Sequence, residues 1–428
     1  MRRVLVRTIA VRMYGKGDLR LESFELPEMR EDEILAHVVS DSLCMSSYKA
    51  AIQGAEHKRV PENIATSPVM IGHEFCGEIV SVGSKWAGKY KPGDRFTIQP
   101  ALNYKGSLDA PGYSYQWIGG SATYIVIPDE VMEMDCLLRY DQKAYYFGSL
   151  SEPMSCIVGA FRASYHVPQG TYEHNMGIRS GGSMAILAGA GPMGLGAIDL
   201  AIHGDVKPRR LVVTDIDDAR LKRAEYLFSS AEAARNGVEL IYLNTARQSI
   251  GNGLAGKFDD VFVMAPVAAL VEQADRILGR DGCMNFFAGP TNAEFSARIN
   301  FYAMHYSAHH IVGTSGGNIE DMRISLELMK EGRVNPSVMI THVGGLNAVS
   351  ETTLNLPKIP GGKKLIYTNV NLPLTAIDDF ERLGDSDEFW ADLATICAGN
   401  KGIWNDESED YLSAKAPIIG GYNGFQEG

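Results

Sequence analysis

Residues 185–201, AILAGAGPMGLGAIDLA, join a short apolar run to a glycine-rich turn and then to a second apolar segment. The turn carries the pattern Gly189-x-Gly191-x-x-Gly194. In such a turn the first glycine allows a tight bend, the second lets a pyrophosphate approach the backbone, and the third allows close packing of strand and helix. The stretch therefore predicts a strand, a phosphate-binding turn and a helix.

An acidic residue follows the turn at the distance expected for recognition of a nucleotide ribose. Asp215 ends the next apolar run, RLVVTD, and lies 21 residues after Gly194. Its carboxylate is predicted to accept hydrogen bonds from the ribose hydroxyls and to repel a 2′-phosphate, which favours NAD(H) over NADP(H). Pro192 and Met193, at the start of the predicted helix, are further predicted cofactor-binding residues, because the N-terminus of a helix offers free N–H groups and a positive dipole end to phosphates.

The segment around this turn alternates apolar runs with segments of helical length. Six runs recur between about residues 155 and 309, namely MAILAG, RLVVTD, ELIYLN, DDVFVMA, CMNFFAG and HHIVGT. This pattern predicts an α/β fold with a Rossmann-type, doubly wound parallel sheet. The first 150 residues contain short strand-like runs separated by Gly and Pro, which is typical of a mostly β module.

Bulk properties exclude several classes of protein. The formal net charge of −12 argues against nucleic acid or an anionic membrane as the main partner, and favours a small-molecule substrate. The sequence contains no strongly apolar stretch of about 18 residues or more, so no membrane span is predicted. The six cysteines are widely spaced and form no CxxC pair, which favours a reducing, cytoplasmic location.

Side chains that could bind a metal ion occur in three places. Cys44 lies in SDSLCMSSYKA, His73 and Glu74 lie in PVMIGHEFCGEIVSVG, and Glu152 lies in GSLSEPMSC. An imidazole next to a carboxylate inside an apolar stretch is costly to bury unless something pairs with them. A thiolate, an imidazole and a carboxylate can hold zinc with one coordination position open, as catalytic sites do. A structural cluster without metal is the alternative.

The joint pattern resembles the zinc-dependent medium-chain dehydrogenase/reductase family, in its polyol-dehydrogenase branch. The likeness runs from about residue 20 to 370 and includes KPGDR at 91–95, THVGGL at 341–346 and GKKLI at 362–366. It implies a mostly β, GroES-like catalytic domain in addition to the Rossmann domain. It also implies one catalytic zinc, an NAD(P)-linked alcohol- or polyol-type oxidoreductase, and a homo-oligomer, either a dimer or a tetramer.

The resemblance further implies which residues form the site. Cys44, His73 and Glu152 are the expected zinc ligands, and Glu74 either exchanges with Glu152 as a ligand or stands beside the ligands. The chain departs from the family pattern in having Ser47 where relatives usually have Asp. It also lacks cysteines between residues 95 and 115, so no structural zinc is expected.

Two further roles follow from the same resemblance. Ser46 stands where relatives place a hydroxyl that passes the proton out of the site, so it is included among the predicted catalytic residues. A basic residue late in the chain, Lys363 or its neighbour Lys364, is expected to reach the cofactor phosphates; Lys363 is the one assigned to the cofactor site.

The predicted domain organisation has three parts. The catalytic domain comprises residues 1–157 and 310–370, the Rossmann domain comprises residues 158–309, and residues 371–428 form an acidic extension with no readable role. The resemblance implies reduction of a ketose phosphate similar to L-sorbose 1-phosphate to a hexitol phosphate. The alternatives are a polyol or amino-alcohol dehydrogenase acting on an unphosphorylated substrate, and a nucleotide-binding relative without catalytic activity.

Overall fold

The computed structural model describes residues 6–248, 250 and 257–422. The chain forms two compact units, one made of Met1–Glu152 with Ile340–Gly428 and the other of Pro153–Met339. Among the described residues, no helix is both long enough and apolar enough to cross a membrane. The six cysteines form no disulfide bond.

The N-terminal part of the first unit consists mainly of short strands, as the punctuation by Gly and Pro predicts. Its elements are β1 (Arg7–Gly15), β2 (Asp18–Glu25), β3 (Ile34–Leu43), α1 (Met45–Gln53), β4 (Val69–Met70), β5 (Phe75–Val82), β6 (Arg95–Ile98), β7 (Tyr124–Ile127), α2 (Asp129–Glu133), β8 (Leu137–Arg139) and α3 (Tyr146–Ser149). A 3-10 turn, Gly54–Glu56, follows α1, and helix α4 (Ser151–Ala163) continues into the second unit.

The second unit contains the predicted parallel sheet. Its elements after α4 are β9 (Tyr165–His166), β10 (Asn175–Met176), β11 (Ser183–Leu187), α5 (Pro192–His203), β12 (Arg210–Asp215), α6 (Asp218–Leu227), α7 (Ser230–Arg235), β13 (Glu239–Asn244), β14 (Phe258–Val263), α8 (Ala268–Ile277), β15 (Leu278–Phe286), α9 (Phe301–Ser307), β16 (His310–Gly313) and α10 (Ile319–Lys330).

Six parallel strands of this unit form one sheet in the order β13-β12-β11-β14-β15-β16. All six apolar runs singled out in the sequence contribute a strand to it. Helices cover both faces of such a sheet, so its central strands are almost entirely buried and read as continuous apolar runs. The Rossmann-type α/β prediction is confirmed.

The C-terminal part of the chain returns to the first unit. It contains β17 (Ile340–Gly345), α11 (Val349–Asn355), β18 (Lys363–Tyr367), β19 (Thr375–Ala376), α12 (Phe380–Gly384), α13 (Glu388–Gly399) and α14 (Asp406–Lys415). These strands complete an eight-stranded sheet in the order β19-β17-β18-β3-β5-β6-β8, to which β7 adds by pairing with β3. The mostly β character expected of the catalytic domain is therefore present.

The limits of the two units differ from the predicted domain boundaries in three places, the first of which is that residues 153–157 belong to the second unit. Residues 310–339 belong to the second unit, because β16 extends its sheet and Arg162 forms an ion pair with Asp321 of α10. The acidic extension from residue 371 belongs to the first unit, where it buries Phe380, Leu393 and Trp404. The last six residues of that extension, 423–428, lie outside the described residues.

Candidate metal centre and dinucleotide turn

Cys44 lies where strand β3 passes into helix α1. It is the N-cap of α1, with an extended backbone at φ −118° and ψ 147°, and its carbonyl accepts a hydrogen bond from the Ser47 N–H at 3.0 Å. Burial raises the pKa of the Cys44 thiol to about 12, and the charge of Glu74 adds to this effect. A bound cation would therefore be needed to hold Cys44 as a thiolate at neutral pH.

His73 and Glu74 lie on the loop between β4 and β5, and both are almost completely buried. The preceding Gly72 has a left-handed backbone at φ +93°, and a Cβ on it would lie 2.2 Å from the Asp41 carboxylate. Only glycine fits there. The Ser42 N–H donates to the Glu74 carbonyl at 2.9 Å, which ties this loop to the end of β3, next to Cys44.

These loops bring Cys44, His73 and Glu74 together. One ligand atom from each of the three side chains lies within 4.8 Å of the others. Burial also lowers the pKa of His73 to about 4, so its imidazole is neutral, which is the form that binds metals. Sulfur, nitrogen and oxygen donors in one buried cluster fit a zinc ion.

The glycine turn of the second unit joins β11 to α5. A Cβ on Gly194 would lie 2.0 Å from the Gly189 carbonyl oxygen, so close packing of the turn requires glycine there. A Cβ on Gly191 would meet nothing within 4 Å, which leaves its backbone open to a ligand. Gly191 is also the N-cap of α5 and provides no capping side chain, so the helix N-terminus can bind phosphate groups. The turn fits a dinucleotide.

Asp215 ends β12, the neighbour of β11, and is buried. Its Oδ1 accepts hydrogen bonds from the Ile216 N–H at 2.8 Å and the Asp217 N–H at 3.2 Å, and its Oδ2 accepts one from Ala190 at 3.3 Å. The carboxylate is thus held next to the glycine turn, at the carboxyl edge of the sheet where dinucleotides bind in such folds. Its contact with a ribose stays a prediction.

Comparison with known proteins shows the family to which the chain belongs. The alcohol dehydrogenase GroES-like domain family matches residues 30–135, the segment that contains Cys44, His73 and Glu74. L-sorbose 1-phosphate reductase of Klebsiella pneumoniae is 50% identical over 96% of this chain and 98% of that protein. Mannitol-1-phosphate 5-dehydrogenase of Aliivibrio fischeri is 52% identical over 95% of this chain and 98% of that protein. The chain belongs to the zinc-dependent medium-chain dehydrogenase/reductase family. The predicted resemblance is therefore confirmed.

Solved structures show the same fold for this dehydrogenase/reductase. The crystal structure of 2R,3R-butanediol dehydrogenase from Bacillus subtilis matches with a TM-score of 0.66 and 22% identity, over 85% of this chain and all of that one. At this level of identity the likeness concerns the fold alone.

In this medium-chain dehydrogenase/reductase, two hydroxyl groups orient the His73 ring. Ser47 Oγ lies 3.1 Å from Nδ1, and the Tyr113 hydroxyl lies 3.2 Å from Nε2. The tyrosine and histidine rings also touch, with centroids 4.8 Å apart. Sequence reasoning missed Tyr113, because a tyrosine 40 residues away in a loop carries no spacing signal that links it to His73.

Glu74 forms a buried ion pair with Lys363 of β18, whose Nζ lies 2.7 Å from Glu74 Oε2. Burial works to raise the pKa of Glu74, but the charges of Lys363 and His73 lower it overall. In turn, the charge of Glu74 outweighs burial and raises the pKa of Lys363. Lys363 thus lies beside the candidate metal-binding cluster of this dehydrogenase/reductase, and its predicted contact with the cofactor phosphates stays a prediction. Lys364 donates instead to backbone carbonyls, including Gly362 at 2.7 Å.

Glu152 and Ser46 are the remaining predicted site residues. Glu152 is the second residue of α4 and is buried, and its charge contributes to the raised pKa of Cys44, but it lies outside the close set of three ligands. Ser46 Oγ accepts a hydrogen bond from Cys44 Sγ at 3.5 Å, and Ser46 also bonds to Tyr113. Both residues therefore act on Cys44. The role of Glu152 as a metal ligand and the role of Ser46 as a proton carrier stay predictions.

Proposed function

We propose that the protein reduces a ketose phosphate to the corresponding hexitol phosphate by hydride transfer from a nicotinamide cofactor. The convergence of Cys44, His73 and Glu74 in a chain that also carries an open dinucleotide turn is the observation that carries this proposal. The names of the two relatives at about half identity support a phosphorylated hexitol or ketose as substrate.

The chemistry of the proposed reaction divides between bound groups and the protein. When bound, a zinc ion would supply a Lewis acid and a nicotinamide cofactor would supply the hydride. The side chains of Cys44 and His73 would hold the metal, together with a carboxylate from Glu74 or Glu152. The Ser46 hydroxyl would move the proton between the substrate oxygen and solvent.

The cofactor is proposed to be NAD(H), with NADP(H) disfavoured. The buried Asp215 carboxylate beside the glycine turn supports this preference, since its charge would repel a 2′-phosphate. Replacing Asp215 by Ser should narrow the preference for NADH over NADPH. An unchanged ratio of kcat/KM values would contradict the assignment.

The proposal is tested with a panel of ketose phosphates and hexitol phosphates, assayed with NADH and NADPH or with the oxidised cofactors, before and after chelation. We expect about one zinc per chain and activity that a chelator removes. Cys44→Ser should lose both metal and activity, whereas Cys136→Ser, at a buried cysteine of the same unit, should keep both. Chelator-insensitive turnover would contradict the zinc assignment, and equal rates with unphosphorylated ketoses would favour the polyol-dehydrogenase alternative.

We further propose that the protein is a cytoplasmic homo-oligomer, a dimer or a tetramer. Exposed apolar side chains on the second unit support association, since Phe301 and Tyr302 of α9 and Ile311 of the edge strand β16 face solvent. The absence of disulfides among the six cysteines supports the compartment. Light scattering of the purified protein tests the oligomeric state, and a monomer would refute it. Cell fractionation tests the location, and recovery outside the cytoplasm would refute it.

A further inference from the structure

Arg59 lies one aromatic ring away from the metal-binding cluster. It follows the turn Gly54–Glu56, on the segment between α1 and β4. Its guanidinium carbon lies 5.4 Å from the centroid of the Tyr113 ring, whose hydroxyl is 3.2 Å from His73 Nε2. Arg59 and His73 therefore both contact Tyr113, so a cation lies close to the candidate metal-binding cluster.

Apart from the ring of Tyr113, the guanidinium of Arg59 has no partner among the residues that the structure describes. Its Nε is buried without a hydrogen bond, and no carboxylate of the described residues forms an ion pair with it. A buried donor without an acceptor is costly, and protein structures rarely leave one unused. Six other arginines of the same unit each lie within 4 Å of a carboxylate: Arg12, Arg20, Arg30, Arg95, Arg139 and Arg382. Arg12 also has a buried Nε without a hydrogen bond, but its guanidinium is compensated by Glu22.

The backbone of Arg59, by contrast, is held firmly. Its N–H donates to His57 Nδ1 at 3.3 Å, and its carbonyl accepts a hydrogen bond from Ser114 Oγ at 2.7 Å. The His57 ring also stacks on Tyr113, with centroids 5.8 Å apart and planes 12° apart. The backbone of Arg59 is thus held next to Tyr113, while its side-chain donors bond to no residue that the structure describes, and a fixed backbone lowers the cost of binding an anion there.

From this arrangement we infer that Arg59 binds the phosphate group of the substrate, and so determines the preference for phosphorylated sugars. The planar guanidinium provides donors in a fork that matches two phosphate oxygens. The charges of Arg59, Lys58 and Lys49 also act on His57, whose pKa is lowered by burial and by these cations, so an anion entering this region meets a positive field. The inference rests on the proposed function, since it names the group that selects the substrate of that same site.

The test compares wild-type protein with Arg59→Gln and with Arg59→Met, which keeps an apolar stem over Tyr113 without the charge. Arg20→Gln is the matched control, because it removes the same charge from an exposed arginine of the same unit. The first readout is kcat/KM for a ketose 1-phosphate and for the unphosphorylated ketose. The second is the affinity of the zinc-loaded protein for a hexitol phosphate and for inorganic phosphate, measured by calorimetry without turnover.

We expect both Arg59 variants to lose about 10- to 100-fold in affinity and in kcat/KM for phosphorylated ligands. They should retain zinc and keep the rate with the unphosphorylated ketose, and Arg20→Gln should behave as wild type. An Arg59 variant that keeps its zinc and binds the hexitol phosphate as wild type does would overturn the inference. If Arg59→Gln does not fold, the affinity of Arg59→Met for the hexitol phosphate decides in the same way.

Failure of the inference and failure of the proposed function give different results. Turnover that favours the phosphorylated ketose in wild type and in both Arg59 variants refutes the role of Arg59 and leaves the proposed function intact. Arg59-dependent binding of the hexitol phosphate by a protein that reduces no ketose phosphate refutes the proposed function and supports the inference.

Discussion

Ser47 Oγ lies 3.1 Å from Nδ1 of His73, so a short hydroxyl side chain holds the ring from the side opposite to Nε2. In the family pattern this position usually carries Asp, and the sequence showed Ser47 only as a departure. The structure shows that the serine still reaches the imidazole. Groups that bond to the second nitrogen of a metal-binding histidine fix its tautomer and orientation.

Ser47→Ala should therefore weaken zinc binding by about 10- to 100-fold, because the His73 ring loses the bond that orients it. Competition with a chromophoric chelator measures the affinity. Ser67→Ala, at a serine on the loop before β4, should bind zinc as wild type does. Equal affinities for all three proteins would show that Ser47 does not orient the ligand.

Removing Lys363 should destabilise the first unit. Lys363→Met leaves the Glu74 carboxylate buried without its cation, and breaking a buried ion pair from one side costs about 3–5 kcal/mol. The double variant Glu74→Gln with Lys363→Met should recover part of that loss, because no buried charge is then left uncompensated. Urea unfolding of the zinc-free proteins measures the free energies. A single variant of full stability but with a raised KM for the cofactor would support the phosphate-binding role predicted for Lys363.

The acidic extension is expected to depend on Glu409 of α14 for its docking. The buried carboxylate accepts hydrogen bonds from the Tyr146 N–H at 3.0 Å and from the Tyr367 hydroxyl at 2.7 Å, and also from the Tyr145 N–H. Glu409→Ala leaves these donors without an acceptor and should lower the free energy of unfolding by about 3 kcal/mol or more.

The neighbouring Asp410→Ala is the matched control for Glu409→Ala. Asp410 is exposed and pairs with Lys143 at the surface, so its loss should cost less than about 1 kcal/mol. Thermal and urea unfolding measure both variants. Similar stabilities for the two would show that the extension is held by its apolar contacts alone.

His37 should make the first unit less stable in acid. Burial lowers its pKa to about 4, and its Nε2 lies 3.0 Å from the hydroxyl of Tyr422 near the end of the described chain. The unfolded chain has a histidine pKa near 6.5, so between about pH 6.5 and pH 4 it binds a proton that the folded protein does not. The contribution of His37 to stability is therefore complete above pH 6.5 and decreases by up to about 3 kcal/mol as the pH falls to 4.

His37→Gln removes this titration while keeping a side chain that can bond to Tyr422. The difference in unfolding free energy between the wild type and the variant should change with pH between 6.5 and 4, in favour of the variant in acid. Urea titrations at a series of pH values provide the measurement, and the comparison cancels other groups that titrate in the same range. A difference independent of pH would refute the assignment.

Much of the architecture was predictable because its signals are local. An apolar run such as RLVVTD is typical of a parallel strand in a sheet whose two faces are covered by helices. Each of the six runs forms a strand of that sheet. Domain limits were less predictable. Whether α10 or the acidic extension joins one unit or the other depends on packing against elements far away in the sequence, and composition carries no such information.

The sequence alone predicted the strand–turn–helix at Gly189–Gly194 and named Cys44, His73, Glu74 and Glu152 as metal-binding candidates, since backbone geometry and ligand chemistry are properties of short stretches. The structure brings the first three of these side chains close together. Only the tertiary structure showed the pairing of Glu74 with Lys363, 289 residues later, and the position of the Arg59 guanidinium over the Tyr113 ring. Burial and distance decide whether a charge is compensated, and both depend on how distant segments pack.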